Sequence, residues 1–246
     1  MKTLYLARRN WRGSFRAMRY DQKLKDEYYA ATAKAYAKID QVPFIRKTFE
    51  EMLQVKFEGK QIIDYLQGSK ILDLGCGSGR LFPYLKKSYV VGVDASKEML
   101  KYARQVMTKC RLRGKFVQKD LFHFKSNQKF DIAISIGVLG EHVPFTMDLA
   151  RNVFQALKPE GLFVFTVVPL KKRWLSLLAK QLLQWGLILP RLSSWKKQLN
   201  SAAFMGYFAH SKSYVERTLK NVGFKEVKCV TVLKKSYEHY EFIARK

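Results

Sequence analysis

At 246 residues, with 48% hydrophobic and 14% aromatic content, the chain can bury a normal core and is excluded from the disordered class. Its formal net charge is +26, from 46 basic against 20 acidic side chains, so its field attracts anions: an acidic membrane surface, nucleic acid or an acidic partner. The cysteines Cys76, Cys110 and Cys229 have neither disulfide-framework nor metal spacing, which excludes a small secreted scaffold, predicts no metal site and fits a cytoplasmic protein.

Residues 1–25 read as a basic extension, with Lys2, Arg8, Arg9, Arg12, Arg16 and Arg19 but no acid before Asp21. They lack the apolar core of a signal peptide, and a basic arm is preferred over a transit peptide. Residues 26–246 read as one domain. Helices are predicted at 26–38, at Pro43 to Val55 and at 60–66, placed to pack over a site on the sheet. Strands and helices then alternate. Strands are predicted at 70–74, 89–93, 115–118, 130–136 and 162–168. Helices are predicted from Gly79, from Ser96 as N-cap, and at 146–157. A late helix at 212–222 precedes two runs, 225–233 and 238–245, that read as an antiparallel hairpin. Alternation of this kind predicts an α/β fold: a mostly parallel sheet with helices on both faces.

The stretch Ile-Leu-Asp-Leu-Gly-Cys-Gly-Ser-Gly-Arg (71–80) organises the chain. A buried strand there stops in a turn with glycine at every second position, Gly75, Gly77 and Gly79. Bare backbone at a strand-to-helix turn lets a polar ligand approach closely. The spacing is G-x-G-x-G with Arg80 in sixth place, not the dinucleotide G-x-G-x-x-G. Asp94 ends the second strand, where a carboxylate can accept from two ribose hydroxyls, and Ala95 follows it. Asp120 and Leu121 follow the third strand, where a carboxylate and an apolar neighbour can frame adenine. Carbonyls near Ile136, after the fourth strand, reach the same sheet edge. Each aspartate taken alone also reads as a helix N-cap.

These motifs, with VVGVDASKEML (90–100), FVQKDLF (116–122), FDIAISIGVLGEHVP (130–144) and LKPEGLFVFTV (157–167), resemble class I S-adenosylmethionine-dependent methyltransferases. The resemblance is closest to the small-molecule branch that includes quinone-biosynthesis enzymes. It covers about 70–170, with 210–227 also similar. It implies a Rossmann-like sheet of seven strands, the last antiparallel and inserted beside the fifth, and S-adenosylmethionine as cofactor. It also implies that Gly75 and Gly77 approach the methionine portion, Asp73 sits under its amino group, and Ile136 completes that site. Asp94 then holds the ribose, and Asp120 and Leu121 frame the adenine. Similar enzymes read V-L-E-H-V after the fourth strand; here Gly140 is an extra residue before Glu141 and His142.

His142 is the candidate general base, with local packing as its alternative reading. His123 reads as a loop residue, His210 as a group reaching in from the insert side, and His239 as structural. From Gly161 to Val215 there is no acid, while Trp174 to Pro190 is strongly apolar with basic flanks. That stretch is too short and polar for a comfortable membrane span. Residues 170–210 are therefore expected to be an insert that serves as a lid, or a helix on an anionic membrane surface. The expected function is methyl transfer to a small, lipophilic acceptor by a cytoplasmic enzyme, peripheral at a membrane where the insert makes contact. An RNA methyltransferase and a non-catalytic cofactor-binding scaffold are the alternatives.

Overall fold

The computed structural model describes residues 43–169, 208–234 and 237–246, with Ala33, Lys34 and Ala37. The basic extension, most of the helix expected at 26–38 and residues 170–207 of the insert expected at 170–210 lie outside the described residues. Helix α1 spans Pro43–Leu53. A small hairpin of β1 (Lys56–Phe57) and β2 (Lys60–Gln61) leads into the short α2 (Ile62–Leu66). There follow β3 (Lys70–Leu74), β4 (Tyr89–Asp94), α3 (Lys97–Lys109), β5 (Arg113–Gln118) and β6 (Phe130–Ser135). The chain continues with α4 (Met147–Ala156), β7 (Leu157–Val167), α5 (Lys212–Val222), β8 (Glu226–Lys234) and β9 (Tyr237–Arg245).

The main sheet has seven strands in the order β5-β4-β3-β6-β7-β9-β8. The five strands from β5 to β7 are parallel, and β9 enters antiparallel beside β7, as expected. Side chains alternate between the two faces of such a sheet. Leu72, Val91, Phe163, Phe165 and Phe242 face α4 and α5, where Val153 and Leu219 cover them. Ile71, Val90, Ile132, Val164 and Ile243 face the other way, onto α1, α2 and α3 through Leu53, Leu66 and Leu100. Both faces are apolar because both are covered.

The helix caps follow the chemistry of their residues. Ser96, Thr146 and Ser211 each accept a backbone N–H from the first turn of α3, α4 and α5 respectively. Gly223 ends α5 in the left-handed conformation with its N–H on Leu219 and Lys220 carbonyls.

Two expectations need correction. No α-helix follows the glycine turn. Residues 82–84 form a single 3-10 turn with Pro83 inside it, and β4 already starts at Tyr89. Too few residues separate Gly79 from that strand for two helical turns and the return to the sheet. No helix N-terminus therefore faces a ligand there, and the bare backbone of the turn is what lies open to one. The fifth parallel strand is also longer than expected. It begins at Leu157, paired with Phe130, and crosses a register shift before Leu162 meets Ile132.

Candidate active site

One cleft opens at the carboxyl ends of β3, β4 and β6, the edge at which doubly wound sheets receive ligands. Its empty space, open mouth included, is about 990 Å³. Asp73, Gly75, Gly77, Asp94 and Ala95 line it from β3, β4 and the turns that follow them. Asp120, Leu121, Ile136 and His142 complete its walls. The structure thus brings together every residue singled out for the cofactor, with the candidate base beside them.

Asp94 is held by backbone. Its Oδ2 accepts the Gly77 N–H at 2.9 Å and its Oδ1 the Ser96 N–H at 2.9 Å. The carboxylate ties the end of β4 to the glycine turn and to the start of α3, which fixes both cleft walls. Asp120 accepts the Phe122 N–H at 2.9 Å and caps the 3-10 turn at Leu121–His123. The N-cap reading of Asp120 is therefore correct as far as it goes, and the same residue lines the cleft.

Asp73 is buried, at 6% exposure. Burial first and the Asp94 charge second push its carboxyl up to about 7, against the opposing pull of Arg80. Arg80, outside the glycines proper, also lines the cleft, with its guanidinium 5.7 Å from the Phe49 ring centre. Phe49 comes from α1, so an N-terminal helix does pack over the site.

Gly75 has φ +74°, and a Cβ there would sit 2.6 Å from a Val138 methyl. The turn after β3 and the loop after β6 are in contact through that bare backbone. The loop itself winds about the Val138 carbonyl, which receives the N–H groups of Glu141, His142 and Val143. Gly137 donates its N–H to Thr166 Oγ1 at 2.8 Å. The extra residue, Gly140, has φ +81°, and a Cβ would lie 2.7 Å from the Val168 nitrogen. Glycine lets the loop lie flat against the end of β7. That placement carries Glu141 onto β9, where its Oε1 meets His239 Nε2 at 2.5 Å. Burial raises the Glu141 carboxyl, but the His239 bond and the charges of His239, His142 and Arg80 outweigh it and leave it below its ordinary value.

The remaining histidines separate clearly. His210 does not reach the cleft as anticipated. It is buried, accepts the Phe145 N–H on Nε2 at 2.9 Å and stacks on Tyr214. Burial pushes its imidazole down to about 4, so it is a neutral structural acceptor. His123 is exposed at the end of its 3-10 turn. The parts sequence reasoning missed are Arg80 as a cleft residue, the Glu141–His239 pair and Glu241.

A family model described as a methyltransferase domain matches residues 65–223. The chain belongs to that family. It is 35% identical over 141 residues to an uncharacterized protein of Methanocaldococcus jannaschii, a match covering 57% of this chain and 50% of that one. It is 31% identical over 121 residues to a ubiquinone biosynthesis O-methyltransferase of Actinobacillus pleuropneumoniae, covering 43% of this chain and 51% of that one. The chain thus spans about half the length of the curated relatives it matches. Among solved structures, magnesium protoporphyrin IX methyltransferase from Synechocystis PCC 6803 with bound SAH superposes with TM-score 0.64 at 20% identity. That match covers 92% of this chain and 100% of the other, and it shows a shared methyltransferase fold.

Proposed function

We propose that this protein transfers a methyl group from S-adenosylmethionine to a small, lipophilic acceptor. The observation that carries the reading is the convergence of Asp73, Asp94 and Asp120 on one cleft, in chain order, from the ends of three neighbouring strands. The cradle suits such a ligand. A Cβ at Gly77 would meet nothing within 4 Å, so open space lies against that backbone. Asp94 receives the ribose hydroxyls, since a carboxylate offers about four acceptor directions and can add to its bonds from Gly77 and Ser96. Asp120 and Leu121 take the adenine. Asp73 takes the methionyl ammonium, with carbonyls near Ile136, and its burial makes that pairing strong.

When bound, the cofactor supplies a methyl group on a sulfonium, a good leaving group. The chain's contribution is then in-line positioning, a source of about 7–11 kcal/mol in favourable cases. Phe49, Ile134, Val138 and Val143 give the cleft apolar walls that suit a lipophilic acceptor and exclude water. His142 lines the same cleft and is positioned to receive a proton from an acceptor. The relative named for ubiquinone biosynthesis is consistent with this acceptor class.

The net charge of +26 favours a second reading, RNA methylation. A methylation assay with radiolabelled S-adenosylmethionine, run on a lipid extract and on total RNA, separates the two. Label in the lipid fraction is expected. Label confined to RNA would replace the lipophilic acceptor with nucleic acid.

A further inference from the structure

The glycine turn after β3 is flanked by two opposite charges, Asp73 ahead of it in the strand and Arg80 behind its last glycine. Both line the cleft. Asp73 is buried, and the Arg80 charge pulls its carboxyl down against the effect of that burial. The Arg80 guanidinium lies 5.7 Å from the Phe49 ring centre, and its Nη1 is 3.9 Å from the point that a Cβ on Gly137 would occupy. A planar cation at that distance from an aromatic ring is attracted to the ring's electrons, which helps to fix its place. Arg80 therefore stands where α1, the glycine turn and the loop after β6 meet.

The proposed donor makes a demand that Asp73 alone leaves unmet. Its methionyl head carries an ammonium and a carboxylate on the same carbon. Asp73 suits the ammonium, but the carboxylate beside it then faces the charges of Asp73 and Asp94, which repel it. No α-helix starts between Gly79 and β4, so no array of helix N–H groups meets an anion at this turn. Among the described residues that line the cleft, Arg80 is the one permanent cation, against Asp73, Asp94 and Asp120. A guanidinium has five N–H donors, so Arg80 can add a carboxylate to the interactions it already makes.

We propose that Arg80 binds the carboxylate of the donor's amino-acid head, so that the cleft reads this head as a zwitterion, with Asp73 on the ammonium. The inference rests on the reading of the cleft as the donor site. The guanidinium fork matches a carboxylate with two parallel N–H···O bonds, which fixes direction as well as charge. Both charges belong to the flanks of one turn, so they orient the head against the bare backbone of Gly75 and Gly77. The sulfur follows the head along a short flexible chain. Holding the head at two points narrows where the methyl group can lie, and in-line transfer depends on that position. A ligand with the ammonium alone is held at one point and leaves Arg80 without its anion.

The test uses the full chain and two ligands, S-adenosylhomocysteine (SAH) and its analogue in which hydrogen replaces the carboxylate. Neither carries the sulfonium charge, so the comparison isolates the carboxylate. Affinities are measured by calorimetry, and circular dichroism confirms that the variant is folded. The wild type is expected to bind SAH at least tenfold more tightly than the analogue. Arg80→Met keeps an apolar stem beside Phe49. It should bind SAH at least tenfold more weakly than the wild type does, and the analogue no more weakly. Equal affinities for the two ligands in the wild type, or a preference for the analogue, would overturn the proposal whether or not the variant folds. So would an undiminished SAH preference in folded Arg80→Met, or an equal loss for both ligands, which is the outcome of a purely structural contact with Phe49. Failure of the wild type to bind either ligand would instead overturn the proposed function.

Discussion

Asp73, proposed above to hold the methionyl ammonium, carries a cost in stability. Its carboxyl ordinarily titrates near 3.8 and is pushed up to about 7 by burial and the nearby Asp94. An acid with a raised folded-state value favours the fold while protonated. That contribution is lost as pH rises from about 4 to 7, where the unfolded chain has released its proton and the folded chain has not. Asp73→Asn removes the ionisation, so its melting temperature should exceed that of the wild type by a few degrees at pH 8, with the gap closing towards pH 4. Calorimetric melts at several pH values check this. The same carboxylate must be ionised to hold an ammonium. Affinity for S-adenosylmethionine should therefore fall below pH 7, approaching tenfold per pH unit, and Asp73→Asn should bind weakly at every pH. A pH-independent affinity in the wild type would remove Asp73 from the site.

At the scale of elements, the loop between β6 and α4 is the distinctive part. Its winding about the Val138 carbonyl and its contact with β7 depend on Gly140, whose φ of +81° and crowded Cβ position admit no larger residue without movement. Gly140→Ala should cost about 1–3 kcal/mol in urea unfolding. It should also lower methyl transfer more than cofactor affinity, because the Asp94 wall does not depend on this loop. Equal losses in both would contradict that division.

Legibility divided along similar lines. Asp94 and Asp120 could be placed because one closes β4 and the other follows β5 at the start of a turn, both local patterns. Their shared cleft then followed from strand alternation. Glu241 was obscured because its burial depends on β9 lying between β7 and β8, a pairing that joins Thr166 to a residue far along the chain. The helix expected after Gly79 failed because Pro83 and the early start of β4 leave too short a segment for it. His210 was expected to reach in from the insert side, and only the packing of Phe145 and Tyr214 against it shows a buried acceptor.

For the whole molecule, the charge of +26 is the property least accounted for by the cleft. No helix among the described residues is long and apolar enough to cross a membrane. The acid-free stretch from Gly161 to Val215 is still expected to favour an anionic surface. Sedimentation with phosphatidylglycerol vesicles should show binding that weakens with added salt and disappears when 171–200 is deleted. Binding unchanged by the deletion would reassign the contact to another basic surface.

The central claim is that the cleft bounded by Asp73, Asp94 and Asp120 binds S-adenosylmethionine. Isothermal titration of the wild type and of Asp94→Ala with this cofactor tests it most directly, with circular dichroism to confirm that the variant is folded. A measurable affinity in the wild type and none in folded Asp94→Ala is the predicted result. Equal affinity in the two proteins, or no binding by the wild type, would contradict it.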